Sequence, residues 1–168
     1  MLHQANKKKM KELKAKGACH CGAVEYLARG EVMMNGLCHC PNCTRSKGVS
    51  PAHLIALHGE NSVEVTQGDE LLQTRVLDKF HLVTCKMCHG PVMQYQEGMG
   101  FRVVFPVSLD LRRGDAGSDH GADRIPDEWK PQLHLNYENR LFDWDDGLPK
   151  FKVFPPDSPL KSDGTPLD

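Results

Sequence analysis

No run of apolar residues in this 168-residue chain approaches the roughly 20 needed to cross a bilayer as a helix. Neither sign of charge dominates: 21 Lys and Arg stand against 22 Asp and Glu, for a net charge of −1. That balance argues against a nucleic-acid binder that works by bulk charge and against a membrane-surface protein. The basic residues near Met1 are not followed by an apolar segment, so no secretory signal is expected there. No long helical period competes with the short alternating runs, and no repeat occurs beyond the cysteine steps. An evenly spread, even-numbered set of cysteines is also lacking. There are seven, tightly clustered, which suits metal chelation better than a disulfide framework and points to a reducing, cytosolic compartment. Hydrophobic residues make up 39% of the chain, enough for one domain with a core that folds alone.

The densest chemistry lies in Cys38-His39-Cys40-Pro41-Asn42-Cys43. A Cys-x-Cys step overlaps a Cys-x-x-Cys step, and Pro41 stiffens the turn so that three sulfurs converge. Zinc takes sulfur at about 2.3 Å and four ligands in a closed structural site, whereas a catalytic site commonly keeps one position for water or substrate. Three thiols therefore suggest an open metal site; a fourth ligand arriving from elsewhere would make it a staple. Two further steps flank it, Cys19-His20-Cys21 between Gly17 and Gly22, and Cys85-Lys86-Met87-Cys88. Seven thiols divide naturally as four plus three. Cys19, Cys21, Cys85 and Cys88 could close one tetrahedral site, and a clip across so long a loop stabilises well. Spacing alone also permits Cys19 and Cys21 to pair with two of the triple.

The remaining pattern reads as mostly β. Strands are expected at 23–28, 52–58, 62–66, 71–77, 80–84, 92–96 and 101–105, with turns at Gly30, Asn35-Gly36, Gly59-Glu60-Asn61, Gly68-Asp69, Gly98 and Gly100. Residues 44–48 suggest one helical turn. Residues 1–16 form a basic arm, read as a solvated helix or frayed tail; residues 114–121 read as a loop. The aromatic-rich segment 126–154 is expected to pack back on the sheet, and the Pro-rich residues 155–168 to form a loose tail. In an extended stretch His39 leaves on the face opposite its cysteine neighbours, so it is not expected to ligate, and His20 has the same geometry. His53 and His58 read as core or edge residues. Arg45 could hold a carboxylate or simply be a surface arginine. Trp129, Tyr137 and Trp144 read as core.

The run Gly17-x-Cys19-x-Cys21-Gly22-x-Val24, then Cys38-His39-Cys40-x-x-Cys43-x-Arg45, then Cys85-x-x-Cys88 resembles the glutathione-dependent formaldehyde-activating enzyme family, which includes centromere protein V. Leu133-His134-Leu135 and Asp146-Gly147-Leu148-Pro149-Lys150-Phe151 resemble that family's C-terminal segment. The resemblance implies a β-tent fold of short antiparallel strands over 17–154 and two zinc ions per chain. It implies a structural site at Cys19, Cys21, Cys85 and Cys88 and a catalytic site at Cys38, Cys40 and Cys43. One departure stands out: the family has Gly directly after the last knuckle, whereas here His89 precedes Gly90. Either the turn is altered or His89 points at a substrate pocket.

The implied activity is that of a carbon–sulfur lyase on thiol–aldehyde adducts, such as S-hydroxymethylglutathione made from glutathione and formaldehyde. The thiolate is the nucleophile and is scarce near neutral pH for an ordinary thiol. A metal at an open position deprotonates a coordinating thiol outright. Three thiolates already weaken its Lewis acidity, so thiolate delivery is favoured over carbonyl polarisation. The alternatives are a non-catalytic, zinc-stapled binding module of the centromere protein V type and a redox or metal-buffering protein. A small-molecule thiol such as glutathione is the expected partner, and the oligomeric state is left open.

Overall fold

One strand of 14 residues, Glu25–Cys38, organises the sheet. The structure is a computed structural model that describes residues 11–109 and 125–167. Residues 1–10 of the expected basic arm and the expected loop at 114–121 lie outside the described residues. Among the described residues the strands are, in chain order, β1 (Glu12–Ala18), β2 (Glu25–Cys38), β3 (Ala52–His58), β4 (Val63–Gln67), β5 (Leu72–Leu77), β6 (Phe80–Cys85), β7 (Pro91–Tyr95), β8 (Phe101–Val104), β9 (His134–Leu135), β10 (Lys150–Phe151) and β11 (Pro159–Leu160), with one α-helix, α1 (Pro41–Lys47). The sheet runs β11-β10-β9-β2-β3-β8-β7-β6-β5, and β1 and β4 both pair with β2 as well. The fold is mostly β, as expected. All pairings are antiparallel except β9 with β2 and β10 with β9.

The long β2 serves two sets of neighbours. Its first half pairs with β1 and β4, and its second half with β3 and β9. The register shifts between Val32 and Met34, where the strand passes from one set to the other. This corrects the expected turns at Gly30 and Asn35-Gly36, which lie inside the strand. Gly36 answers to a close approach rather than a turn. A Cβ there would stand 2.8 Å from Leu133 Cδ1 and 3.0 Å from Leu133 O.

Alternation along the central strands builds two cores. Ile55 and Leu57 of β3, Val83 of β6 and Val104 of β8 join one cluster; Leu54, Ala56, Leu82 and Val103 join the other. Successive side chains of a strand point to opposite faces, so the sheet is buried on both sides where β3 and β8 meet. Each Leu or Ile so buried contributes about 1.5–3 kcal/mol. The two cysteine sets divide with the faces: Cys19 and Cys85 belong to the first core, Cys38 and Cys43 to the second.

Two terminal expectations change. Residues 12–16, read as a solvated helix or tail, belong to β1, with Leu13 buried. Pairing with β2 satisfies their backbone groups, so tertiary context overrides the weak helical stripe. The expected loose tail contains β11, which pairs with β10, and Ser162 O accepts a 2.7 Å hydrogen bond from Tyr137 Oη–H. The aromatic segment does pack back on the sheet through Trp129 and Tyr137, both buried. Phe142 and Phe154 stay exposed.

Candidate metal centres

The three-cysteine cluster forms where β2 runs into α1. Cys38 is the last residue of β2, and Cys40 is the N-cap of α1. Pro41 fits the first helical position because no intrahelical partner awaits its nitrogen. Cys43 N–H donates to Cys40 Sγ at 3.4 Å, so the thiol does the work an N-cap oxygen usually does. Gly48, at φ 63, closes the helix with its N–H on Thr44 O. The sulfurs of Cys38, Cys40 and Cys43 lie within 4.8 Å of one another. Cys38 and Cys43 are buried and Cys40 is half-buried, so the cluster is approached from the Cys40 side. Among the described residues no other His, Cys, Asp or Glu ligand atom joins it.

The four-cysteine cluster joins two distant turns. Cys19, Cys21, Cys85 and Cys88 offer sulfurs that also fall within 4.8 Å of one another. Cys19 to Cys21 is 3.5 Å and Cys21 to Cys85 is 3.9 Å. Tetrahedral sulfurs about 2.3 Å from one zinc ion would stand about 3.8 Å apart, so this donor set fits a closed site. Of the two partitions that spacing allows, this one is observed. Backbone amides orient the thiols: Val24 N–H donates to Cys19 Sγ at 3.3 Å, Met87 N–H to Cys85 Sγ at 3.3 Å and Gly90 N–H to Cys88 Sγ at 3.4 Å.

Thiols this close share protons unequally. Hydrogen bonding with Cys40 and Cys43 pushes Cys38 far above the usual thiol range, with burial adding to it. The same bonds from Cys38 and Cys43 pull Cys40 down to about 3, against its burial. Cys38 draws Cys43 down, but Cys40 and burial prevail and push it up to about 11. A cation that displaces these protons relieves the conflict, which is why such sites release protons on binding metal.

Side chains from remote elements surround the triple. Asn136 Nδ2 donates to Cys38 Sγ at 3.6 Å, and Gln94 Nε2 to Cys43 Sγ at 3.9 Å. Behind the triple runs a polar chain that is buried up to Asp146, which reaches solvent. His39 projects away from the sulfurs, as expected from its place between two ligands, and its Nε2 meets His134 Nδ1 at 2.8 Å. His134 Nε2 meets Asp146 Oδ2 at 2.7 Å, and Lys150 Nζ meets Asp146 Oδ1 at 2.9 Å. His39, His134 and Lys150 are all buried. Burial pushes Asp146 up, but hydrogen bonds from His134, Lys150 and the Leu148 amide bring it down to about 2, so it is a carboxylate. The ionised Asp146 assigns the proton to His134 Nε2 and leaves His134 Nδ1 to accept from His39 Nε2–H. His39 Nδ1 is then a buried lone pair with no hydrogen-bond partner among the described residues. Burial, with His134 as a further cause, holds His39 down to about 4 and neutral.

The family described as glutathione-dependent formaldehyde-activating enzyme matches residues 14–138, about three quarters of the chain. The chain belongs to that family. No curated protein matches it. A crystal structure of a Rhodobacter sphaeroides protein is 24% identical, covers 56% of this chain and 87% of its own, and superposes with a TM-score of 0.45.

The family departure at His89 leaves the knuckle turn intact. His89 sits at φ 57, a left-handed conformation that suits glycine. Its N–H still bonds Cys85 O at 2.9 Å, and Cys85 N–H still bonds Gly90 O at 3.1 Å. The side chain is exposed on the four-cysteine knuckle and is not part of the three-cysteine cluster. Arg45 is exposed on α1. His20 and His58 are exposed, and His53 is half-buried with Nε2 2.9 Å from Asn35 Oδ1. Sequence reasoning missed Gln94, Asn136, Asp146, His134 and Lys150 as neighbours of the triple. One signal was present: Gln94 is buried in β7 beside Leu82 and Val103 of the second core, where an apolar residue would be the rule.

Proposed function

We propose that Cys38, Cys40 and Cys43 hold a zinc ion with one position open to a substrate thiol, and that the protein is a carbon–sulfur lyase acting on thiol–aldehyde adducts such as S-hydroxymethylglutathione. The observation that carries this reading is the triple itself. Three sulfurs converge with no fourth His, Cys, Asp or Glu ligand atom among the described residues, while the other four cysteines meet as a set. When bound, zinc supplies the deprotonation of a thiol near neutral pH. The residues of this chain do the rest. Cys38 and Cys43 fix the inner side, and half-buried Cys40 leaves the approach. In the synthetic direction the thiolate sulfur attacks the formaldehyde carbon. The carbon–sulfur bond forms, the carbonyl electron pair moves to oxygen, and the proton lost by the thiol ends on that oxygen. Cleavage is the reverse. Zinc at Cys19, Cys21, Cys85 and Cys88 is structural in this reading.

All seven cysteines are free thiols, which suits a reducing compartment such as the cytoplasm. No helix among the described residues is long and apolar enough to cross a membrane. The test replaces zinc by cobalt and follows its absorption as glutathione is added. A spectrum that shifts on adding thiol is expected. A spectrum unchanged at saturating glutathione overturns the lyase reading and leaves a zinc-stapled binding module.

A further inference from the structure

We infer that Asn136 and Gln94 are positioning residues for the three-cysteine cluster, whose side-chain N–H donors set how tightly Cys38 and Cys43 hold a metal. This deepens the metal reading above and rests on it. Three thiolates in one place repel one another, and an N–H aimed at a sulfur withdraws part of its charge. Ligand-orienting hydrogen bonds of this kind tune affinity.

The Gln94 amide can face only one way. Gln94 is 2% exposed, so water does not compete for its amide. Its Oε1 accepts from Lys47 Nζ at 3.0 Å, which leaves Nε2 toward Cys43 Sγ. The flipped amide would set NH2 against an ammonium and a carbonyl oxygen against a thiolate, both repulsive. Lys47 is itself anchored, 4.8 Å from the Phe105 ring centroid and 3.2 Å from Ser46 Oγ. Its charge therefore reaches Cys43 through the Gln94 amide. Asn136 Nδ2 faces Cys38 Sγ at the shorter distance of 3.6 Å, where a flipped amide would set its carbonyl oxygen against the thiolate. It occupies a left-handed conformation, φ 51, that Asn tolerates better than most residues. Its N–H bonds Val153 O at 2.7 Å, which fixes the backbone from which the side chain projects.

The four-cysteine cluster supplies the control. Val24, Met87 and Gly90 donate to its thiols through backbone amides, which no side-chain substitution removes. The three-cysteine cluster has backbone donors at Cys40, from Cys43 and Asn42, but at Cys38 and Cys43 takes its donors from side chains of distant elements.

The test uses Asn136→Gly, which keeps the left-handed backbone accessible, and Gln94→Met, which keeps the volume without a donor. Full-length parent and variants are loaded with zinc, and its release into a chromophoric chelator is followed. Removing a ligand-orienting partner typically costs about 10–100-fold in metal affinity. Each variant is expected to lose the zinc that Cys40→Ala also removes more easily by that factor, Asn136→Gly more than Gln94→Met. The zinc that survives in Cys40→Ala should be held as in the parent. In cobalt-loaded protein the sulfur-to-metal charge-transfer band should move to longer wavelength, since an undonated thiolate is richer in charge. Affinity within about twofold of the parent and an unmoved band in both variants overturn the inference. A parent that binds no metal sensitive to Cys40→Ala overturns it together with the metal reading. A parent that binds two metals but ignores glutathione overturns only the lyase reading, and the amide effect then stands if the band moves.

Discussion

The two cysteine clusters sit on opposite faces of one sheet and are assembled in opposite ways. The four-cysteine cluster gathers ligands 64 residues apart, at Cys21 and Cys85, yet each half is oriented by its own local backbone. The three-cysteine cluster draws its ligands from six consecutive positions, yet its neighbours come from β7, from Asn136 and from the His39–His134–Asp146–Lys150 chain. Closing a long loop stabilises a fold; surrounding a short loop with remote side chains controls the loop's chemistry. That contrast is what the proposed reading of one cluster as a staple and the other as a site rests on.

The sharpest way to break that comparison is to remove one thiol from each. Structural zinc contributes on the order of 10 kcal/mol or more to folding, comparable to the whole stability of a domain. Cys85→Ser should therefore unfold the protein, whereas Cys40→Ala should remain folded, lose up to one zinc per chain and lose turnover. Thermal melts with metal analysis check both, and a Cys85→Ser variant melting within a degree or two of the parent would discard the staple.

A smaller effect is expected behind the three-cysteine cluster. His134→Phe leaves the buried His39 Nε2 without an acceptor and Asp146 without one of its donors. Orphaning such groups should cost about 3 kcal/mol in a denaturant melt. A loss under about 1 kcal/mol would show that the chain does not brace the loop.

On the other face, His53 pairs with Asn35, whose Nδ2–H2 reaches Trp129 O and Lys130 O. Burial pulls His53 down to about 4, below its ordinary 6.5. The unfolded chain therefore binds the extra proton between those values, and stability that is full above pH 6.5 falls as pH drops toward 4. Between pH 7.5 and pH 5 this group should withdraw up to about 2 kcal/mol. The parent should lose that much more than His53→Gln over the same interval; equal losses would remove His53 from the account.

The smallest effect concerns His89. A non-glycine residue in the left-handed region costs about 1–2 kcal/mol, part of which glycine returns through its freer unfolded chain. His89→Gly should stabilise the four-cysteine knuckle by up to about 1 kcal/mol and leave thiol binding at the triple unchanged. A change in thiol affinity would place His89 near the substrate after all.

The spacing of the cysteines already marked both clusters, because a metal-binding turn is a local property of Cys, Gly and Pro within a few residues. The strands 52–58 and 101–105 were legible for a similar reason: alternating or continuous apolar runs report burial directly. Only the tertiary structure decided the rest. Spacing left two partitions of seven thiols, and packing in the first core brings Cys85 and Cys88 to Cys19 and Cys21. The glycines of β2 looked like turns because the close approach of Leu133 to Gly36 is invisible in the chain. His134, Asp146 and Lys150 carried no period of their own. Their partner lies at His39, 95 residues before His134, and hydrogen bonds of that reach exist only once β9 has docked beside β2. Local chemistry is written in adjacent residues, whereas the environment that tunes it is made by residues whose proximity the folded sheet alone creates.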